Sequence, residues 1–227
     1  MSSPSAWSID EETLVTARYD ERFSKFGYGE KALGWGEKGR QKLRFDVLAT
    51  HWPLTAMRVL DLGAGFGDFF DFVTHADIKN YVGLDVTDAL VSEGRRRFGG
   101  DSRFNLKLAS ATDRSAYENC DIAIISGLFN FRLRSGKNRE FITEVLSLAY
   151  EFCTVGVACN FVTNRVDYQD PLMHYQSPEE ALSIGLSLSK NCVIKQNYMP
   201  FEYSMFIDRR DSFNPDIAVF DHIVSAI

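Results

Sequence analysis

Polar and apolar positions along this chain alternate between helical stripes and short apolar runs. After a polar stretch at 1–9 that reads as a loose leader, Leu14, Val15, Tyr19 and Phe23, with Ala17 and Phe26, recur at helical spacing and predict a helix over 10–26. Glycines then flank two aromatics, Gly27-Tyr28-Gly29 and Gly34-Trp35-Gly36. A second helix is expected over 37–51, with Leu43, Val47 and Leu48 on one face and a stop before Pro53. Strands follow at 58–62, 81–85, 104–109, 121–126 and 154–162, separated by helices at 67–75, 87–98 and 138–152. The run at 121–126 is almost wholly apolar, as a strand buried on both faces requires. Asn138 is positioned to cap its helix.

Ser177-Pro178-Glu179-Glu180 joins an N-cap serine, a proline at the first helical position and a capping-box glutamate, marking a helix from 177 to about 190. Strands at 192–198 and 203–208 flank Met199-Pro200-Phe201; so short a link makes a hairpin, never a parallel crossover. The fold expected is α/β: a mostly parallel sheet with an antiparallel strand at one end. Three regions are expected: an N-terminal helix and lid at 1–36, the main domain at 37–208 and a tail at 209–227 that the pattern does not place.

Composition narrows the function classes. With a formal charge of −6 and no long basic run, the chain offers no phosphate-tracking surface, so nucleic acid is not an expected partner. The densest cations, Arg95, Arg96 and Arg97, fall at a helix C-terminus, where the dipole favours them. Four cysteines (Cys120, Cys153, Cys159, Cys192) form no C-x-x-C pair and read as buried thiols of a cytoplasmic protein. Neither a signal peptide nor a membrane span is expected.

The candidate chemistry lies in Val59-Leu60-Asp61-Leu62-Gly63-Ala64-Gly65-Phe66-Gly67-Asp68, a strand running through a glycine turn into a helix. Such a turn lets a ligand approach the backbone and the free N–H groups of the helix. A dinucleotide fingerprint wants its third glycine at position 68, where Asp68 would aim negative charge at a pyrophosphate; NAD and FAD are disfavoured. Asp85 ends the next strand, 24 residues after Asp61, where a carboxylate can accept both hydroxyls of a ribose.

These residues resemble motif I and the ribose-binding strand end of the class I S-adenosylmethionine (SAM)-dependent methyltransferases, over roughly residues 37–208. The resemblance implies a Rossmann-like three-layer αβα sandwich with a seven-stranded sheet ordered 3-2-1-4-5-7-6, and SAM as cofactor with S-adenosylhomocysteine (SAH) as product. It places Gly63, Ala64 and Gly65 at the methionine end of SAM, with Asp61 and Gly67 in the same motif, and Asp85 at the ribose. Val86 and Leu128 would face the adenine, Ser126 would stand beside Leu128 after strand four, and Arg44 would meet the SAM carboxylate. Where many members end strand three with an acid for the adenine amine, this chain has Ser110, Ala111 and Asp113; Ser110, Asp113 or the Ala111 backbone would serve instead.

Methyl transfer from a sulfonium asks the protein mainly for alignment and exclusion of water, with a general base only for weakly acidic acceptors. The acceptor is expected at the carboxyl ends of strands four and five. Residues 126–131 there lack the Asn/Asp-Pro-Pro-aromatic run of amine-modifying DNA enzymes. Asn130, Asn160, Tyr168 and His174 are the candidate acceptor contacts, with Met199–Glu202 as a further wall, and His174 is the candidate base. Tyr28 and Trp35 would close as a lid. No metal is expected. The reading is transfer to an oxygen or nitrogen of a small polar metabolite, sugar-, phosphate- or natural-product-like, by a soluble enzyme that a homodimer would suit. Two other functions fit the motif: methylation of RNA or protein, and non-catalytic binding of SAM or a nucleoside.

Overall fold

The computed structural model describes residues 5–35 and 39–224. Seven strands form one sheet: β1 (Arg58–Leu62), β2 (Asn80–Asp85), β3 (Phe104–Leu108), β4 (Cys120–Ile125), β5 (Cys153–Val162), β6 (Cys192–Met199) and β7 (Glu202–Asp208). Their order is β3-β2-β1-β4-β5-β7-β6. The first five are parallel, and β7 runs antiparallel to β5 and to β6. This is the expected topology, closing hairpin included.

Side chains of β1 show how the sheet divides the core. Leu60 and Leu62 join the layer that packs on α5 (Asn138–Phe152) and α6 (Pro178–Leu188). Val59 joins the opposite layer with Phe45, Leu48, Phe69, Phe70 and Val91, from α2 (Arg40–Ala49), α3 (Asp68–Val73) and α4 (Asp88–Phe98). The two-residue period of the strand sends neighbours to opposite faces, which makes the three-layer sandwich. All strand C-termini of β1, β2 and β4 therefore open at one edge, where α1 (Ile9–Phe26) and its following loop lie across.

Three local expectations need correction. The segment before α1 is not loose where it is described: Ala6 is buried, Trp7 stacks on Phe141 with ring centroids 5.0 Å apart, and Ser8 caps the helix. Asn138 does not cap α5. It is the helix's first residue, and its amide instead accepts from Leu133 N–H and donates to the Phe131 carbonyl, pinning the preceding loop. Ser177 does cap α6, accepting from Glu180 N–H, but the Glu180 carboxylate accepts from Gln176 rather than completing a box. The tail forms a small hairpin, β8 (Phe213–Asn214) with β9 (Val219–Phe220), and a final turn of helix, α7 (Asp221–Val224). Gly36 and the first residues of the predicted second helix, 37–38, lie outside the described residues, as do 1–4 and 225–227.

Candidate active site

The glycine turn follows β1 directly. Gly63 and Gly65 adopt φ of 72° and 58°, a region that side-chain-bearing residues avoid, so the chain reverses under α3 without a β-carbon in the way. A β-carbon on Gly63 would meet Leu128 at 3.0 Å, and one on Gly65 would meet Leu33 at 3.1 Å. The turn is thus roofed from both sides by apolar side chains.

Asp85, at the end of β2, fixes that turn. Its Oδ2 accepts from Gly65 N–H at 2.9 Å and its Oδ1 from Thr87 N–H at 2.8 Å. A carboxylate has about four acceptor sites, so two are left for a ligand. Burial raises its pKa, partly offset by those amide donors. Asp61 lies behind, accepting from the Tyr81 hydroxyl at 2.7 Å. Burial pushes Asp61 up to about 7 despite that bond, with Asp85 and Asp68 adding to the rise.

A cavity of about 900 Å³ opens over these groups, near the upper end of the range for small-molecule sites. Most of the predicted cofactor residues line it: Arg44, Asp61, Gly63, Ala64, Gly65, Asp85, Val86, Ser110, Ala111, Ser126 and Leu128. Gly67 does not; it caps α3 and packs its α-carbon against Phe104. Asp113 is likewise absent from the wall and caps a short turn by accepting from Ser115 N–H, so Ser110 and Ala111 are the groups left at the end of β3.

Arg44 is buried, its side chain 6% exposed, and pairs through Nε and Nη2 with both carboxylate oxygens of Glu202, at the start of β7. Its guanidinium also lies 4.3 Å from the Trp35 ring centroid. Nη1 is buried without a hydrogen-bond partner among the described residues. A buried cationic donor without an acceptor costs free energy.

The expected acceptor residues divide. Trp35, Asn130 and Tyr168 line the cavity, and Asn130 Oδ1 is buried without a partner among the described residues. Tyr28 does not line it. Its hydroxyl donates to Asp68 at 2.7 Å, and its ring sits under Arg97 at 3.6 Å, so it anchors the loop after α1 to α3 and α4. Asn160 stands behind the wall, accepting from Gly127 N–H at 2.8 Å and holding the turn after β4. His174 is also outside the wall. Its ring Nε2 is 2.9 Å from Gln176 Oε1, its backbone N–H donates to the Asn130 carbonyl, and its neighbours Met173 and Tyr175 face the cavity in its place. Burial lowers the His174 pKa.

Several wall residues escaped the sequence pattern: Trp7, Arg18 and Tyr19 before and along α1, Leu33 in the loop after it, and Phe141 on α5. Tyr19 belongs to the helical stripe of α1 and lines the cavity with Asp85; burial and the Asp85 charge both raise its pKa. Among the described residues no cluster of three or more His, Cys, Asp or Glu is arranged to hold a metal, and no helix is long and apolar enough to cross a membrane. The four thiols are free; three are buried, and burial pushes Cys153 up to about 12 and Cys192 to about 11.

No family model matches the sequence. A Mycobacterium tuberculosis (strain ATCC 25618 / H37Rv) protein that bears the provisional name methyltransferase Rv1506c is 36% identical over 154 residues, covering 65% of this chain and 90% of that protein. Among solved structures, magnesium protoporphyrin IX methyltransferase (ChlM) from Synechocystis PCC 6803, with bound SAM, superposes with a TM-score of 0.63 at 12% identity, over 89% of this chain and 98% of its own. The DhpI-SAM-HEP complex gives 0.63 at 13% identity over 89% and 99%, and mycolic acid cyclopropane synthase CmaA1, complexed with SAH and CTAB, gives 0.60 at 16% over 81% and 77%. The curated relative bears a methyltransferase name and the solved structures share the fold described above, so the chain belongs to the class I, Rossmann-like methyltransferases.

Proposed function

We propose that this methyltransferase draws on SAM and methylates an oxygen or nitrogen of a small molecule bearing a polar, sugar-, phosphate- or natural-product-like group. The observation that carries this is Asp85, held by the Gly65 and Thr87 amides, in one cavity wall with Arg44, whose Nη1 is buried without a partner among the described residues. The residues fit the cofactor. Asp85 keeps acceptor capacity for two ribose hydroxyls, Arg44 Nη1 offers a charged donor to a carboxylate, and the Gly63–Gly65 backbone leaves room for a methionine chain. Val86 and Leu128 give apolar faces for a purine, with Ser110 and Ala111 at its edge.

When bound, SAM supplies a methyl group already activated on a sulfonium. The chain's part is then to align the acceptor and exclude water. Leu33 and Trp35 roof the cleft over Gly65 and Gly127, and Tyr168 stands exposed at its mouth. Asn130 lines the cavity, and its Oδ1 has an unfilled acceptor site among the described residues. His174 does not line the cavity, so His174→Ala is expected to keep most of its turnover, and loss of turnover there would return it to the machinery.

Calorimetric titration with SAM, SAH and NAD tests the proposal. Micromolar affinity for both sulfur ligands and none for NAD is expected. Tighter binding of NAD, or binding of SAM without any turnover across a broad acceptor panel, would sink it.

A further inference from the structure

The cavity wall extends beyond the residues proposed to hold the cofactor, and that remainder is chemically uneven. Trp7, Phe131, Phe141, Tyr168, Tyr175 and Phe201 give it an aromatic lining. Its acids are nearly all engaged: Asp61 by the Tyr81 hydroxyl, Asp85 by two backbone amides, Glu202 by Arg44. Asp167 stands outside those pairs, exposed on the loop after β5.

Arg18 is the counterpart. It projects from α1 into this wall, half-buried, with its guanidinium carbon 6.0 Å from the centroid of the Phe131 ring. Among the described residues no carboxylate or carbonyl accepts from it. A guanidinium facing an aromatic ring at that distance keeps its N–H edges available, and those edges match the two oxygens of a carboxylate or phosphate.

We infer that the acceptor is an amphipathic anion: an apolar, ring-bearing body seated among the aromatic side chains, with a carboxylate or phosphate clamped by Arg18. This rests on the cofactor reading above and sharpens it, since the polar group is an oxyanion and the body is aromatic rather than sugar-like. The two oxyanions share the chemistry that Arg18 recognises.

The test uses the full chain saturated with SAH and titrated with matched pairs: 2-naphthoate against 2-naphthamide, and indole-3-acetate against indole-3-acetamide. Each acid is expected to bind about tenfold more tightly than its amide, as one charge-assisted clamp provides. Arg18→Gln should erase that preference and Arg18→Lys should keep part of it, while both variants bind SAH as the wild type does. A second arm replaces 2-naphthoate with 2-naphthyl phosphate, and the tighter of the two names the oxyanion. Equal affinities within the pairs, no binding of either acid at millimolar concentration, or a preference that survives Arg18→Gln would overturn the inference while leaving the cofactor reading intact. Failure of the wild type to bind SAH would overturn both.

Discussion

The indole of Trp35 lies against Gly127, so close that a β-carbon on that glycine would stand 2.3 Å from Trp35 Cη2. Gly127 also holds φ at 80°. Gly127→Ala therefore suffers twice, from backbone strain and from displacement of the lid. It should lose about 1–2 kcal/mol of stability in urea denaturation and bind SAH more weakly. Adding Trp35→Ala should recover the steric share and leave the strain, so a double variant no more stable than Gly127→Ala would show that the contact carries no weight.

The Arg44–Glu202 pair joins α2 to β7 where both side chains are nearly dry, 6% and 12% exposed. Arg44→Met leaves the Glu202 carboxylate buried without its partner and should cost about 3 kcal/mol. Replacing both with methionine should restore much of that stability. SAH affinity should stay low in both variants, because Nη1 is gone from each. Recovery of affinity along with stability would mean that Arg44 serves the fold alone.

Asp85→Asn keeps the shape of the side chain but removes its charge and one acceptor. Two backbone amides and a ribose then compete for a single oxygen. SAH affinity should fall about a hundredfold with an unchanged circular dichroism spectrum. Retained affinity would take Asp85 out of the ribose site.

Asp61 gives a pH signature. Its folded pKa of about 7 stands above the ordinary carboxylate value, so the native state holds a proton that the unfolded chain has already lost. Stability from this group is therefore greatest at acid pH and falls as pH rises towards 7, by up to about 1.4 kcal/mol per unit, then levels off. Urea midpoints of Asp61→Asn should lack that slope between about pH 5 and 7. A cationic ligand favours the ionised form, so SAM binding near pH 6 should release a proton, read as a difference in heat between buffers of unlike ionisation enthalpy.

Much of this was legible in the sequence because local signals and chemistry coincide there. The apolar run of β4, the glycines before α3 and the Ser177-Pro178 start of α6 each specify an element by themselves. The place of Asp85 in the cavity wall was legible since it depends only on a strand end. What stayed hidden depends on distant pairing: Glu202 meets Arg44 across 158 positions, and Trp7 reaches Phe141 from the far end of the chain. His174 misled for the opposite reason. Its loop reaches the cavity, but alternate residues, Met173 and Tyr175, face it. Asn138 misled too, since a residue suited to capping was spent on the loop before its helix.

The two walls of the cavity have separate anchors. Strand ends of β1, β2 and β4 carry the groups proposed to face the cofactor, and the sheet register fixes them. Trp7, Arg18 and Tyr168 come from α1, the segment before it and the loop after β5, none of which belongs to the sheet. Exchanging α1 or that loop between related chains would then retarget the methyl group while the donor stays the same. On the proposed reading, selection or design would alter the product of this enzyme by editing its periphery, with the sheet left untouched.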